Sequence, residues 1–177
     1  AYRCQFDPHH LECIRLAREK VFGTVGLVES SFGIDVGPPG QWRLSRELAG
    51  GGALMDVGVY AVQAARYLTG EEPTLVSAFD TKTDATRFAE VEESIAWTMK
   101  FPGGALAHSS ASYRIPGLAR MRATAERGWF ELEPAFYYSG NRGRRSDGKE
   151  IRYESVDPFA AELDDFLRDI HRALAAF

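Results

Sequence analysis

The sequence predicts an α+β fold: a large open, mostly antiparallel β-sheet with helices packed on one face. Three observations carry this. Apolar residues recur at helical spacing early in the chain and again at its end. Between those stretches the period changes to two, the mark of half-buried strands. Short turns containing Gly and Pro join the strands, so they meet as hairpins in a meander. With 177 residues, 45% hydrophobic and 26% charged, the chain suits one globular domain spanning 1–177.

Residues 2–6 read as a short strand. Asp7-Pro8 opens a first helix, with Asp as N-cap and Pro at the first helical position. Leu11, Ile14, Leu16 and Ala17 carry it toward Gly23. Residues 25–34 read as a strand, followed by an irregular loop through Gly37-Pro38-Pro39-Gly40. A second helix is expected from about Ala53 to Leu68, ending at Gly70. Ile95, Trp97, Met99 and Phe101 then alternate with Ser94, Ala96, Thr98 and Lys100, and Pro102-Gly103-Gly104 turns this strand into a partner ending at Tyr113. Further strands fit 118–126, 129–133 and 150–155. Asp157-Pro158 opens a last helix with Phe159, Leu163, Phe166 and Ile170 on one face. The pattern is still helical at Leu174-Ala175-Ala176-Phe177, and Ala1-Tyr2-Arg3 begins in strand-like sequence, so both ends read as cuts in a longer protein.

A net charge of −4 gives no basic excess for nucleic acid. Asn141-Arg142-Gly143-Arg144-Arg145 is a local exception and reads as a solvated hairpin tip. Two cysteines, Cys4 and Cys13, make neither a disulfide framework nor a zinc site, and no metal site is expected. Cys13 falls in an apolar helical pattern and reads as buried. His9 and His10 sit at a helix start and read as solvated. No apolar run has the length of a membrane span, and no signal peptide is read in these residues, though one would precede Ala1. The cytoplasm is the expected compartment, with the periplasm as the alternative.

Gly50-Gly51-Gly52 leads into the second helix, whose residues Asp56, Tyr60, Gln63 and Tyr67 share one stripe of an otherwise apolar rod. A buried stripe of this kind must find partners or face a wet cavity. Asp56 either caps the first turn, with Tyr60 as core, or the pair lines a site. The glycines point to a tight turn or to close backbone approach at a helix N-terminus. On the strand Ala105–Tyr113, small side chains leave an outer row of His108, Ser110 and Ser112. That row suits solvent or a second sheet packing closely, and His108 reads as structural or interfacial.

Three stretches, "AYRCQFDP", "GQWRLSRELAGGGALMDVGVYAVQAARYLTGEEP" and "RFAEVEESIAWTMKFPGGALAHSSASY", resemble the C-terminal domain of the Gfo/Idh/MocA oxidoreductases. The likeness is strongest to the glucose–fructose oxidoreductase branch and its NADP-dependent sugar dehydrogenase relatives. The resemblance implies a partner absent here, an N-terminal Rossmann domain that binds NAD(P) and is closed by a Glu-Lys-Pro motif with a catalytic lysine. It implies a second domain that binds substrate and forms homo-oligomers through its sheet. Asp56 and Tyr60 match the active-site carboxylate and the acid/base. Tyr2 and Arg3 match a pair that enters the domain beside the cofactor, and Trp42 and Arg43 match a pair lying against NADP. Tyr138, or Tyr137 in its place, matches a further tyrosine at that site. The plainer reading of Trp42 and Arg43 is a Trp buried under the loop beside an exposed Arg.

The residue types suit the implied chemistry. Oxidising a sugar or polyol hydroxyl sends a hydride to nicotinamide and a proton to a base. A free phenol titrates near 10, so Tyr60 needs a neighbouring cation to act at neutral pH, and the absent lysine would be one. Asp56 would orient the sugar hydroxyls or that lysine. Alone, such a domain is expected to be inactive. The rival expectation is a non-catalytic oligomerisation or binding module of the same fold, in which the acid and the phenol would have no task.

Overall fold

The structure, a computed structural model, describes residues 2–175; Ala1, Ala176 and Phe177, and with them the two extremities of the sequence pattern, lie outside the described residues. Eight strands form one sheet: β1 (Val25–Gly33), β2 (Leu75–Thr81), β3 (Ser94–Lys100), β4 (Leu106–Ser112), β5 (Ala119–Ala125), β6 (Gly128–Leu132), β7 (Gly143–Arg145) and β8 (Glu150–Ile151). Their order in space is β2-β3-β4-β1-β5-β6-β7-β8. Two antiparallel meanders, β2 to β4 and β5 to β8, flank the first strand of the chain. β1 runs parallel to β4, with Ser30 opposite Ser109, and antiparallel to β5, with Ser30 opposite Met121. The expected meander therefore contains one parallel pair. It arises because the helical excursion after β1 returns to the far edge of the sheet before β3 and β4 walk back.

Among the described residues four α-helices accompany the sheet: α1 (Pro8–Arg18), the short α2 (Arg46–Ala49), α3 (Val59–Thr69) and α4 (Pro158–Ala175). α3 lies across β1, β4 and β5, and α1 packs on α3 and β6. The facing rows are small: Ala61, Ala64 and Ala65 on α3, and Ala107, Ala111 and Ala123 on the sheet, all buried. Small residues on both sides bring helix and sheet close together. Among the described residues, no helix packs on the opposite face of the sheet. No described helix is long and apolar enough to cross a membrane.

Several local expectations are corrected. Residues 2–6 are not a strand; Arg3–Phe6 is a single 3₁₀ turn. The first helix stops at Arg18, ahead of Gly23. Leu75–Thr81 is a strand that its sequence conceals, because every residue of this edge strand is exposed and no alternation results. The expected strand over 150–155 shrinks to Glu150–Ile151. The cluster at 141–145 is no solvated tip: Asn141 is buried and Gly143–Arg145 forms β7. His9 and His10 are buried as well, because Asp7 caps α1 and both imidazoles turn inward to its carboxylate. Cys4 and Cys13 are buried free thiols.

Candidate active site

The glycine run is explained by one side chain. Glu92, in the lead-in to β3, accepts hydrogen bonds from the N–H groups of Gly52 and Leu54, each at 2.9 Å. Its backbone carbonyl accepts from Ala53 N–H at 3.4 Å. A Cβ on Gly52 would stand 2.1 Å from that carbonyl oxygen, so no other residue fits there. Gly50 closes α2 in the left-handed region, with φ of 77°. The start of the site helix is thus capped by a carboxylate remote in sequence, and Asp56 does not serve as the cap.

The helix also begins differently from expectation. Leu54–Gly58 is a turn of π-helix, and α3 follows directly at Val59. Such wide turns are uncommon and occur often at functional sites. Asp56 lies inside this turn and Tyr60 in the next.

Each member of the polar stripe has a partner. Asp56 Oδ2 accepts from Arg43 Nε at 2.8 Å. The Tyr60 hydroxyl accepts from Arg3 Nε at 3.2 Å. Gln63 pairs with Arg66, and Tyr67 donates to Gln5 Oε1 at 2.7 Å. Two arginines from outside the helix therefore hold the acid and the phenol, one each.

Arg3 is buried and fully engaged. Besides Tyr60, it donates to the carbonyls of Phe136 at 2.6 Å and Tyr137 at 3.3 Å. Its guanidinium also lies against the rings of Tyr138 at 4.1 Å and Tyr60 at 5.0 Å. Tyr2 packs beside them, 5.7 Å from the Tyr60 ring and stacked on Tyr67 at 5.5 Å. Burial raises the Tyr60 phenol above its ordinary range, and the Arg3 guanidinium works against that rise.

The Asp56 side is more open. Arg43 also covers the Trp42 ring at 4.4 Å, and Trp42 itself is 51% exposed. Behind Asp56 lies Tyr113, fully buried, with its hydroxyl unpaired in the described structure. Burial first and the Asp56 carboxylate second push that phenol well up, so it stays protonated and able to donate. Of the sequence-predicted residues, Tyr2, Arg3, Tyr60 and Tyr138 form one cluster, and Trp42, Arg43 and Asp56 a second, one turn along the same helix. Tyr137 presents its backbone to Arg3. His108 is exposed on the bare face of the sheet, apart from both clusters. Glu92 and Tyr113 organise the site and were not foreseen; nothing in their local sequence reveals that they fold back on the glycine run and on Asp56.

Trp42, Met55 and Tyr138 are all more than half exposed, so the two clusters form a wall open on one side. Among the described residues no group of acidic, His and Cys side chains could hold a metal.

Comparison with known proteins follows the same line. The profile of the GFO/IDH/MocA C-terminal domain matches residues 10–131. A D-xylose 1-dehydrogenase [NADP(+)] of Haloarcula marismortui is 32% identical over 133 residues, which is 72% of this chain and 37% of that protein. A second D-xylose 1-dehydrogenase (NADP(+)), from Haloferax volcanii, is 29% identical over 96% of this chain and 53% of its own length. The aldose–aldose oxidoreductase of Caulobacter crescentus, solved with glycerol, superposes with a TM-score of 0.91 at 39% identity. That match covers 98% of this chain and 53% of the solved one. The chain spans about half the length, or less, of the relatives it matches.

Proposed function

Because this chain belongs to the GFO/IDH/MocA family, as its C-terminal domain, we propose that residues 1–177 form the substrate side of an oxidoreductase. The reaction is hydride transfer between a sugar or polyol and NADP. The observation that carries this reading is the pairing on successive turns of one helix: Asp56 held by Arg43, Tyr60 held by Arg3, beside an open wall. A scaffold would have no use for two separately pinned polar groups at the start of a helix on its core. The NADP-dependent xylose dehydrogenases among its relatives point to the same substrate class and cofactor.

The residues present fit such a cofactor. Half-exposed Trp42 backed by Arg43 offers a flat aromatic face with positive charge beside it, and Tyr138, held between Arg3 and Phe159, leaves an exposed edge next to it. These suit a heteroaromatic ring and a phosphate. Trp42, Arg43 and Tyr138 would hold NADP from this side, with buried Arg3 supporting Tyr138 from behind and Tyr2 packed against Tyr60 beside it. When bound, NADP supplies the hydride acceptor or donor. Everything else required of it, including a lysine near Tyr60, belongs to a preceding Rossmann domain, and without that domain the chain is inactive.

The proton is handled at the Tyr60 oxygen. With its titration raised by burial, the phenol is neutral at neutral pH. It is therefore ready to donate to a carbonyl oxygen in the reductive direction. In the oxidative direction it must first lose its proton, which requires cationic help beyond Arg3. Asp56 orients the sugar by accepting from its hydroxyls. Asp56→Asn in the full-length enzyme is expected to lower kcat/KM for an aldose about tenfold or more, mostly through KM. Steady-state kinetics with unchanged constants would remove Asp56 from this role.

The bare face of the sheet is proposed as the contact with a second copy. Its middle row is flat, with Ser110 donating to Ser31 at 2.9 Å across β4 and β1. Leu106 and Phe79 lie exposed beside it. Light scattering is expected to give a mass of at least a dimer; a monomeric mass at high concentration excludes this contact.

A further inference from the structure

We infer that Asn141, with Asp7 behind it, is a positioning residue for Tyr60 and acts through Arg3. The inference rests on the role proposed above for Tyr60 and extends it to residues distant from the reacting atoms.

The connection is continuous. Asn141 is 4% exposed, and all of its amide is engaged. Its Oδ1 accepts from Tyr137 N–H at 3.0 Å; its Nδ2 donates to Tyr137 O at 2.9 Å and to Asp7 Oδ2 at 3.2 Å. Tyr137 O is therefore shared between Asn141 and Arg3, and Phe136 O takes a second arm of the same guanidinium. A guanidinium is a rigid planar fork, so fixing two arms fixes the third. The third arm is the Nε–H that meets the Tyr60 hydroxyl. The direction of that bond is thus set by the 136–137 backbone, and the backbone is set by Asn141.

Asp7 anchors the far end. Its Oδ1 accepts from the backbone N–H groups of His9 and His10 and from Nδ1 of both rings, while Oδ2 is left for Asn141. One carboxylate therefore joins the start of α1 to the 136–141 loop, and the loop to the guanidinium on Tyr60.

Around the Tyr60 phenol stand Tyr2, Arg3 and Cys4 from the N-terminal turn and Tyr138 from the loop. Burial holds Tyr2 far up and raises the Cys4 thiol to about 12, so both are neutral at ordinary pH. Arg3 is then the cation of this group; burial holds the phenol up, and the charge and hydrogen bond of Arg3 oppose that rise.

A residue that merely supports the fold would, when replaced, reduce the yield of folded protein and lower activity evenly across pH. A positioning residue moves the pH dependence. In the full-length protein carrying isotope-labelled tyrosine, the Tyr60 titration is followed by NMR alongside kcat/KM for aldose oxidation. Asn141→Ala is expected to raise the Tyr60 midpoint and to cut kcat/KM at neutral pH about tenfold, with recovery as the pH is raised. Arg3→Met is expected to shift the midpoint further, and Arg3→Lys to restore part of that shift. If Asn141→Ala does not fold, Asn141→Ser carries the same measurement. An unmoved midpoint in a folded variant overturns the linkage whatever Tyr60→Phe does. A moved midpoint with turnover insensitive to Tyr60→Phe supports the linkage and removes the acid–base role instead.

Discussion

Tyr60→Phe in the full-length enzyme is expected to lower turnover by roughly two or more orders of magnitude, the usual cost of losing a general acid/base. The substitution removes one oxygen and little else. The ring keeps its neighbours, Phe32 at 5.5 Å edge-on and Phe136 at 6.0 Å. Arg3 loses one of three acceptors and keeps both carbonyls. The thermal midpoint should move only slightly, and KM should change far less than kcat. A loss confined to kcat in a protein of normal stability would be chemical in origin. Turnover within a few-fold of the parent would show that the proton travels by another route.

Asp7→Asn is expected to destabilise the protein by about 2–3 kcal/mol at neutral pH, from loss of a buried, multiply bonded carboxylate. The mechanism is specific. The Asn oxygen could take the place of Oδ1 at the helix start, but its amide nitrogen would then face the amide nitrogen of Asn141, donor against donor. Turning Asn141 over would break both of its bonds to Tyr137. The pH dependence gives an independent check. Burial alone would raise the Asp7 carboxyl; hydrogen bonds from His10 and Asn141 and the charge of His10 outweigh it and bring it down to about 2. A carboxyl depressed by folding stabilises fully above its unfolded value, near 4, and that contribution disappears as the pH falls toward 2. His10, which burial lowers, adds an earlier loss of stability as the pH drops below about 6.5. Urea unfolding should show parent and variant far apart at pH 7 and converging near pH 2. Equal midpoints at pH 7 would mean that the carboxylate contributes nothing net.

Much of this was legible in the sequence. The period change, the Pro-Gly-Gly hairpin and the Asp7-Pro8 helix start reflect local chemistry, and local chemistry is written in adjacent residues. The polar stripe on the second helix could also be read, together with its need for partners. The partners themselves could not, because Arg3, Arg43 and Glu92 reach the helix only through the tertiary fold. The burial of Asn141 is hidden for the same reason. Amid Gly, Ser and Arg it has the composition of a surface turn, and only the buried Asp7 carboxylate draws it inward. β2 was hidden because an edge strand exposed on both faces needs no alternating pattern.

The central place of β1 has a consequence for how this domain is made. The strand is synthesised early, yet Ser30 must wait for Ser109 and then Met121 before both of its edges are occupied. Until then a strand with two bare edges is open to mispairing, and contacts so distant along the chain favour slow, late assembly. The platform under the site helix should be the last part to close. Cutting the polypeptide between β4 and β5 would place the two neighbours of β1 on separate pieces, so the piece that keeps β1 and the site helix would be left with one bare edge.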